Sequence, residues 1–153
     1  MAGQALTVPA WISTGTGRQA AANQTVTFDD GVPQSASPTA KIGYATGAGA
    51  TVTQLTNRST GVTINATCGA ITTDATSLAA GAEASFVVTN SAVEIGDVVV
   101  ACARSGQTAT TSVVHVIAVA NGSFTLQLTN LAAATADTGA MVINFAVIKA
   151  VSA

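Results

Sequence analysis

Strand-length runs of alternating apolar and polar residues recur through the chain from residue 41 onward, and they limit its possible folds more than any other feature. The runs are rich in Val, Thr and Ile, which favour strands, and they return at intervals of about 10 to 15 residues. No long amphipathic helix pattern separates them. The predicted strands cover residues 51–56, 61–65, 69–73, 85–90, 97–103, 110–120, 123–130 and 141–150. This pattern predicts an all-β fold, an antiparallel β-sandwich that is jelly-roll-like.

The clearest local signal is the dipeptide Asn121-Gly122, which lies between two of these runs. Asn-Gly between alternating apolar residues is the typical two-residue loop of a β-hairpin. The run that follows alternates with a period of two, so Phe124, Leu126 and Leu128 share one face of a strand. The sequence therefore predicts a hairpin with these three side chains turned towards the core.

Residues 1–40 differ from the rest of the chain. They contain all three prolines, the only tryptophan and a stretch rich in Gly, Thr, Gln and Asn. We interpret them as an extended N-terminal arm with one possible short strand, followed by a sandwich domain over residues 41–153. The arm carries an apolar cluster formed by Leu6, Val8, Trp11 and Ile12. It predicts a contact with another protein, and the alternative for Trp11 is packing on the sandwich of its own chain.

Charge is scarce: the chain has five basic and seven acidic side chains, and its formal net charge is −2. The five basic residues are scattered, so they do not form the positive patch of a nucleic-acid-binding protein. No apolar stretch approaches the ~20 residues of a membrane span, and the first residues lack the features of a secretory signal. We therefore expect neither nucleic acid nor membrane as a partner, and reduced, buried thiols at Cys68 and Cys102.

The sequence offers little catalytic chemistry. His115 is the only histidine, and it lies in an apolar run, where a structural or interface role is the better interpretation. A zinc site would need about four ligands, and His115, Cys68 and Cys102 have no short-range ligand spacing. We predict no catalytic residue, no metal site and no cofactor. Activity as a small hydrolase remains an alternative only if the fold brings His115 close to a serine and a carboxylate.

The last predicted strand is apolar on both faces. Such a strand is either central or covered by a neighbouring subunit, and the second option predicts a subunit interface. The candidate interface residues are Ile143, Phe145, Val147 and His115. Tyr44 is a weaker candidate for contact with a glycan, because exposed aromatic rings are typical of sugar-binding sites.

Three segments resemble a family of virion structural proteins of tailed bacteriophages. They are residues 42–65 (IGYATGAGATVTQLTNRSTGVTIN), 78–91 (LAAGAEASFVVTNS) and 142–149 (VINFAVIK). The resemblance extends over about residues 41–150, and the two cysteines are departures from it. In that family a β-sandwich module of this size occurs on capsid decoration (cement) proteins, head fibres and tail-associated proteins.

The resemblance implies a non-enzymatic capsid decoration protein that is made in the cytoplasm of a bacterial host. It implies a homotrimer on the outside of the phage head, bound to the major capsid protein and stabilising contacts between capsid subunits. The alternative is a head-fibre, tail-fibre or receptor-binding module with affinity for glycans. The arm lies outside the matched segments, so the resemblance leaves this choice open.

Overall fold

The structure is a computed structural model, and it describes residues 43–44, 47–108 and 112–150. The predicted arm over residues 1–40, including Leu6, Val8, Trp11 and Ile12, lies outside the described residues. The described part is all-β and contains no helix, so it has none long and apolar enough to cross a membrane.

Eight strands form two sheets of four strands each. In chain order they are β1 (Gly49–Thr53), β2 (Val62–Thr63), β3 (Cys68–Thr72), β4 (Glu83–Thr89), β5 (Val98–Ser105), β6 (Ser112–Ala120), β7 (Ser123–Asn130) and β8 (Val142–Ile148). Sheet A has the strand order β1-β3-β8-β5, and sheet B has the order β2-β4-β7-β6. All eight predicted strands therefore have a counterpart, with bounds that differ by a few residues.

Both sheets are mixed, which corrects the expectation of an antiparallel arrangement. The pairs β1–β3 and β2–β4 are parallel, and the four other pairs are antiparallel. The first four strands lie alternately in sheet A and sheet B. Two reversals of chain direction therefore separate β1 from β3, and two separate β2 from β4. Strands two apart in sequence then run in the same direction. This strand order does not confirm the jelly-roll form.

The core lies between the two sheets. Its large members include Phe124, Leu126 and Leu128 of sheet B and Ile143, Phe145 and Val147 of sheet A, each at most 4% exposed. The rings of Phe124 and Phe145 have their centroids 5.3 Å apart, which joins the inner faces of the two sheets. The two sheets therefore share one apolar core, in a sandwich-like arrangement.

The predicted hairpin is confirmed. Strands β6 and β7 pair in antiparallel register on either side of Asn121-Gly122. Gly122 has a φ of 77°, which a residue with a side chain adopts only at a cost. The hairpin places Phe124, Leu126 and Leu128 on the inner face, as the alternation predicts.

Replacement of Leu126 by alanine should destabilise the fold strongly. Leu126 is fully buried, so the substitution loses apolar burial and leaves a cavity, and we expect a loss of about 2–5 kcal/mol in the free energy of unfolding. Val87→Ala on the outer face of sheet B is the matched control, with an expected loss below about 0.5 kcal/mol. Urea denaturation of both variants measures the difference, and equal losses would contradict the assignment of the core.

Candidate interaction surface

His115 is exposed on the outer face of sheet B and pairs with Gln127 of β7. In the same row, Gln127 pairs with Ser85 of β4, so a whole strand separates His115 from that serine. Gln127 instead donates a hydrogen bond from Nε2 to Oε2 of Glu83, at 3.0 Å. No catalytic triad is assembled around the histidine among the residues that the structure describes.

A buried ion pair joins the loops at one end of the two sheets. Arg58 is 3% exposed and Asp137 is fully buried, and Arg58 Nη2 lies 3.6 Å from Asp137 Oδ1. The same nitrogen donates to the carbonyl oxygens of Asp137 and Gly139, at 3.1 and 2.7 Å. Arg58 Nε donates to the carbonyl of Thr76. One guanidinium thus connects the β1–β2, β3–β4 and β7–β8 loops.

The Asp137 carboxylate also receives backbone N–H groups. Oδ1 accepts from Thr108 at 2.9 Å and from Gly139 at 3.0 Å, which adds the β5–β6 loop to the connected set. Burial of the carboxyl opposes ionisation, but the neighbouring Ser112 hydroxyl, these two amides and the Arg58 charge outweigh it, so the pKa of Asp137 lies below its ordinary value. The buried Ser112 hydroxyl and Asp137 Oδ2 have no hydrogen-bond partner among the described residues. With both charges enclosed and paired, the cluster supports the loops and presents no reactive group to solvent.

Cys68 and Cys102 are free thiols on the outer face of sheet A, on strands that flank β8. Cys68 pairs with Ala146 and Cys102 pairs with Asn144, so one strand lies between them. Cys102 is exposed and Cys68 is only partly buried, so the expectation that both thiols are buried is wrong. Within the described ranges no three His, Cys, Asp or Glu residues are grouped as metal ligands.

The outer face of sheet A is apolar and uncharged over most of its width. Pairing registers place one set of alternating residues from β3, β8 and β5 on this face. Its apolar members are Cys68, Ala70, Val98, Val100, Cys102, Val142, Ala146 and Ile148. Val98, Val100 and Ile148 are 52%, 51% and 55% exposed, although the hydrophobic core of the chain is complete without them. Apolar patches of this kind mark surfaces that contact another molecule.

Charged side chains lie at the margins of this face and not among its apolar residues. Arg104 lies at its margin, at the bulge between Ala103 and Ser105 of β5. Lys149 follows Ile148 but turns to Asp97, with Nζ 2.7 Å from Oδ2, and to Glu94 at 3.2 Å. A hydrogen bond from Lys149 lowers the pKa of Asp97. The contact also raises the pKa of Lys149, so both groups stay charged and paired.

The outer face of sheet B has a different character. Strands β4 and β7 place Thr, Ser and Gln side chains there, and Glu83 lies at one end. Val87, 48% exposed, is an isolated apolar residue among them. On the third long strand of this face, β6, Ile117 is 50% exposed, so the outer face of sheet B is polar on β4 and β7 and mixed on β6.

Ile143, Phe145 and Val147 lie in the core, so the side chains proposed for a subunit interface are not at the surface of this chain. The alternate residues of β8, from Val142 to Ile148, form its outer face instead. Sequence periodicity shows that both faces are apolar but does not show which one meets the other sheet.

Tyr44, the candidate for contact with a glycan, is 47% exposed, and its hydroxyl donates to the carbonyl of Val147.

Sequence reasoning missed two features, the apolar outer face of sheet A and the Arg58–Asp137 pair. The face needs the strand order β1-β3-β8-β5, which brings together segments from four parts of the chain. The ion pair joins residues 58 and 137, and no local motif marks it. A weak signal was present for the face, because residues 98–103 and 142–148 are apolar on both alternate sets.

Replacement of Asp137 by asparagine should destabilise the fold by about 3–5 kcal/mol, because it leaves the Arg58 charge buried without its counter-ion. Since the pKa of Asp137 is lowered by folding, its ionisation stabilises the protein above the unfolded value of about 3.9. That contribution is lost as the pH falls through the lower, folded value.

Urea denaturation of wild type and Asp137→Asn at pH 7 and pH 3 measures both effects. The difference between the two proteins in the free energy of unfolding should be smaller at pH 3 than at pH 7. Glu83→Gln, on the exposed face of sheet B, is the control, with an expected change below about 0.5 kcal/mol. An equal difference in the free energy of unfolding at both pH values would contradict the role assigned to the Asp137 carboxylate.

Comparison with known proteins gives no relative from which a function could be transferred. Scans of protein-family models, curated proteins and solved structures found no match to this chain. A functional assignment therefore depends on the described surfaces and on the resemblance of the sequence segments.

Proposed function

We propose that the chain is a non-enzymatic structural protein of a tailed-phage virion. Its role in this proposal is capsid decoration: a homotrimer binds the outer surface of the head and stabilises contacts between major capsid proteins. The observation that carries the proposal is the apolar, uncharged outer face of sheet A on a domain whose core is already complete. The resemblance of residues 42–65, 78–91 and 142–149 supports the virion context.

A capsid decoration protein acts through its binding surfaces and needs no reactive side chains. A protein that binds the assembled lattice and not its separate subunits shifts the assembly equilibrium by mass action. An oligomer also multiplies weak contacts, because the second and third binding events occur at high effective concentration. A domain with little charge and one apolar face is suited to this kind of binding.

The loops at the Arg58 end are a candidate for the capsid contact. Leu55 and Leu131 are 88% and 62% exposed there, in loops that Arg58 and Asp137 connect. Their backbone is held by buried hydrogen bonds, so binding through them orders little additional chain. The sequence-predicted arm contacts Leu6, Val8, Trp11 and Ile12 are a second candidate, with Trp11 as the residue that would bury the largest area.

The alternative is a head-fibre or receptor-binding module that binds glycans. The polar residues of β4 and β7 on the outer face of sheet B favour it, because hydroxyl and amide groups can replace the hydrogen bonds that a sugar makes with water. Tyr44 would be an aromatic contact, although its hydroxyl is already used within the chain.

Co-sedimentation of the full chain with undecorated capsids of the encoding phage tests decoration. We expect saturable binding by the wild type and at least tenfold weaker binding by Leu55→Asp, because the new charge would be buried in the contact. Ile95→Asp is the matched control. Ile95 is 66% exposed at the hairpin end, where its N–H donates to Asn121 Oδ1, and this variant should bind like the wild type.

Trp11→Ala in the same assay tests the predicted arm contact, and weaker binding is expected. If the wild type does not sediment with capsids, decoration is excluded. Binding to a glycan array by that same protein would favour the receptor-binding alternative.

A further inference from the structure

We propose that Asn121 is a deamidation site, and that the contact between the hairpin turn and the β4–β5 loop controls its reaction. Asn121 is exposed and precedes Gly122, and the two form the only Asn-Gly dipeptide of the chain. The inference is independent of the proposed function, because it depends only on the chemistry and the contacts of this turn.

Deamidation at this dipeptide needs no reactant from outside the chain except water. The backbone nitrogen of Gly122 attacks the side-chain carbonyl carbon of Asn121 and loses its proton. The bond from that carbon to the amide nitrogen breaks, and ammonia leaves. Water then opens the resulting cyclic imide at either carbonyl, which yields aspartate or isoaspartate. Glycine favours the attack because it has no side chain to obstruct it.

The hairpin turn holds Asn121 away from the geometry of attack. Ala120 pairs with Ser123, so residues 121 and 122 form a two-residue loop. The φ of 77° at Gly122, the second residue of this loop, is that of a type I′ turn, which has a positive φ at both residues. Closure of the imide ring changes the ψ of Asn121 and so breaks the turn. The reaction therefore follows a local opening of the hairpin.

Three hydrogen bonds attach this turn to the β4–β5 loop, residues 90–97. The attacking nitrogen of Gly122 donates its hydrogen to the carbonyl oxygen of Val93, at 2.9 Å. Oδ1 of Asn121 accepts from the backbone N–H of Ile95, also at 2.9 Å, which fixes the orientation of the side chain. The carbonyl oxygen of Gly122 accepts from the backbone N–H of Asn90 at 2.8 Å. In the closed turn the attacking nitrogen is thus occupied, and the carbon that it attacks is held in place.

The β4–β5 loop is itself anchored, so it restrains the turn. Val93 is 2% exposed, and Nδ2 of Asn90 donates to the carbonyl oxygen of Ala66 at 2.7 Å. At the other end of the loop, Asp97 is paired with Lys149. Opening of the turn breaks contacts with a loop that stays in place. The free energy of that opening slows deamidation in the folded protein.

Peptide mass spectrometry of the full chain, incubated at neutral pH with and without urea, tests the proposal. The change from amide to carboxyl raises the mass of the peptide that contains Asn121, and chromatography separates isoaspartate from aspartate. We expect Asn121 to be the fastest deamidation site in the unfolded chain. In the folded protein its reaction should be slower by roughly tenfold or more.

Ile95→Pro and Ile95→Ala form a matched pair of variants. The N–H of Asp97 donates to the carbonyl oxygen of Glu94 at 3.0 Å, so Ile95 is the second residue of a β-turn, a position that suits proline. Proline removes the N–H that holds Asn121 Oδ1, whereas alanine keeps it. The loss of one hydrogen bond should make deamidation about two to ten times faster in folded Ile95→Pro than in folded Ile95→Ala.

Hydrogen exchange of the Gly122 amide is a second measurement, because the same opening of the turn frees this N–H. We expect the amide to be protected in the wild type. Circular dichroism confirms that each variant is folded, and if Ile95→Pro does not fold, hydrogen exchange decides.

Equal rates of deamidation at Asn121 in the folded and the unfolded wild type overturn the inference, and so does an unprotected Gly122 amide. An unfolded chain that deamidates faster at another asparagine overturns the assignment of the site. Equal rates in folded Ile95→Pro and Ile95→Ala overturn the role of the contact between Ile95 and Asn121.

Discussion

The packing of the inner faces of the two sheets, joined at Phe124 and Phe145, is the constraint on which the rest of the structure depends. A strand alternates its side chains with a period of two, so commitment of Ile143, Phe145 and Val147 to the core commits Val142, Asn144, Ala146 and Ile148 to the opposite face. Core packing therefore does not constrain which residues lie on that opposite face. In sheet A it is apolar on β5 and on most of β8, and in sheet B it is polar on β4 and β7 apart from Val87.

The difference between the two outer faces connects structure to function. About half of each of Val98, Val100 and Ile148 is exposed, and this exposed apolar surface adds a tendency to associate. These three residues are grouped on two adjacent strands, β5 and β8, and the charges of Lys149 and Asp97 are paired beside them. In the proposed homotrimer, contacts through this face would leave the Arg58 end available for the capsid.

Much of the fold follows from the sequence. The strands, the hairpin at Asn121-Gly122 and the inner face of β7 depend on local alternation and turn preferences, which act over a few residues. The parallel pairs β1–β3 and β2–β4 do not follow, because strand order is decided by which distant segments meet. For the same reason the sequence predicts that both sides of β8 are apolar but not which side meets the other sheet, and Ile143, Phe145 and Val147, the predicted interface residues, lie in the core. The Arg58–Asp137 pair arises only when four loops meet, and neither residue is unusual in its own segment.

The central claim of the proposed function is that the apolar outer face of sheet A makes contacts in the homotrimer, and Cys102 reports on this face directly in the unaltered protein. Its thiol is exposed in the single chain and lies beside Asn144 in the middle of that face. The measurement is the rate of alkylation of Cys102, followed by peptide mass spectrometry over a wide range of protein concentration. We expect the rate to fall as the protein assembles, because the neighbouring copy covers the thiol. A rate that stays constant while the protein forms its oligomer would contradict the claim and move the interface to another surface.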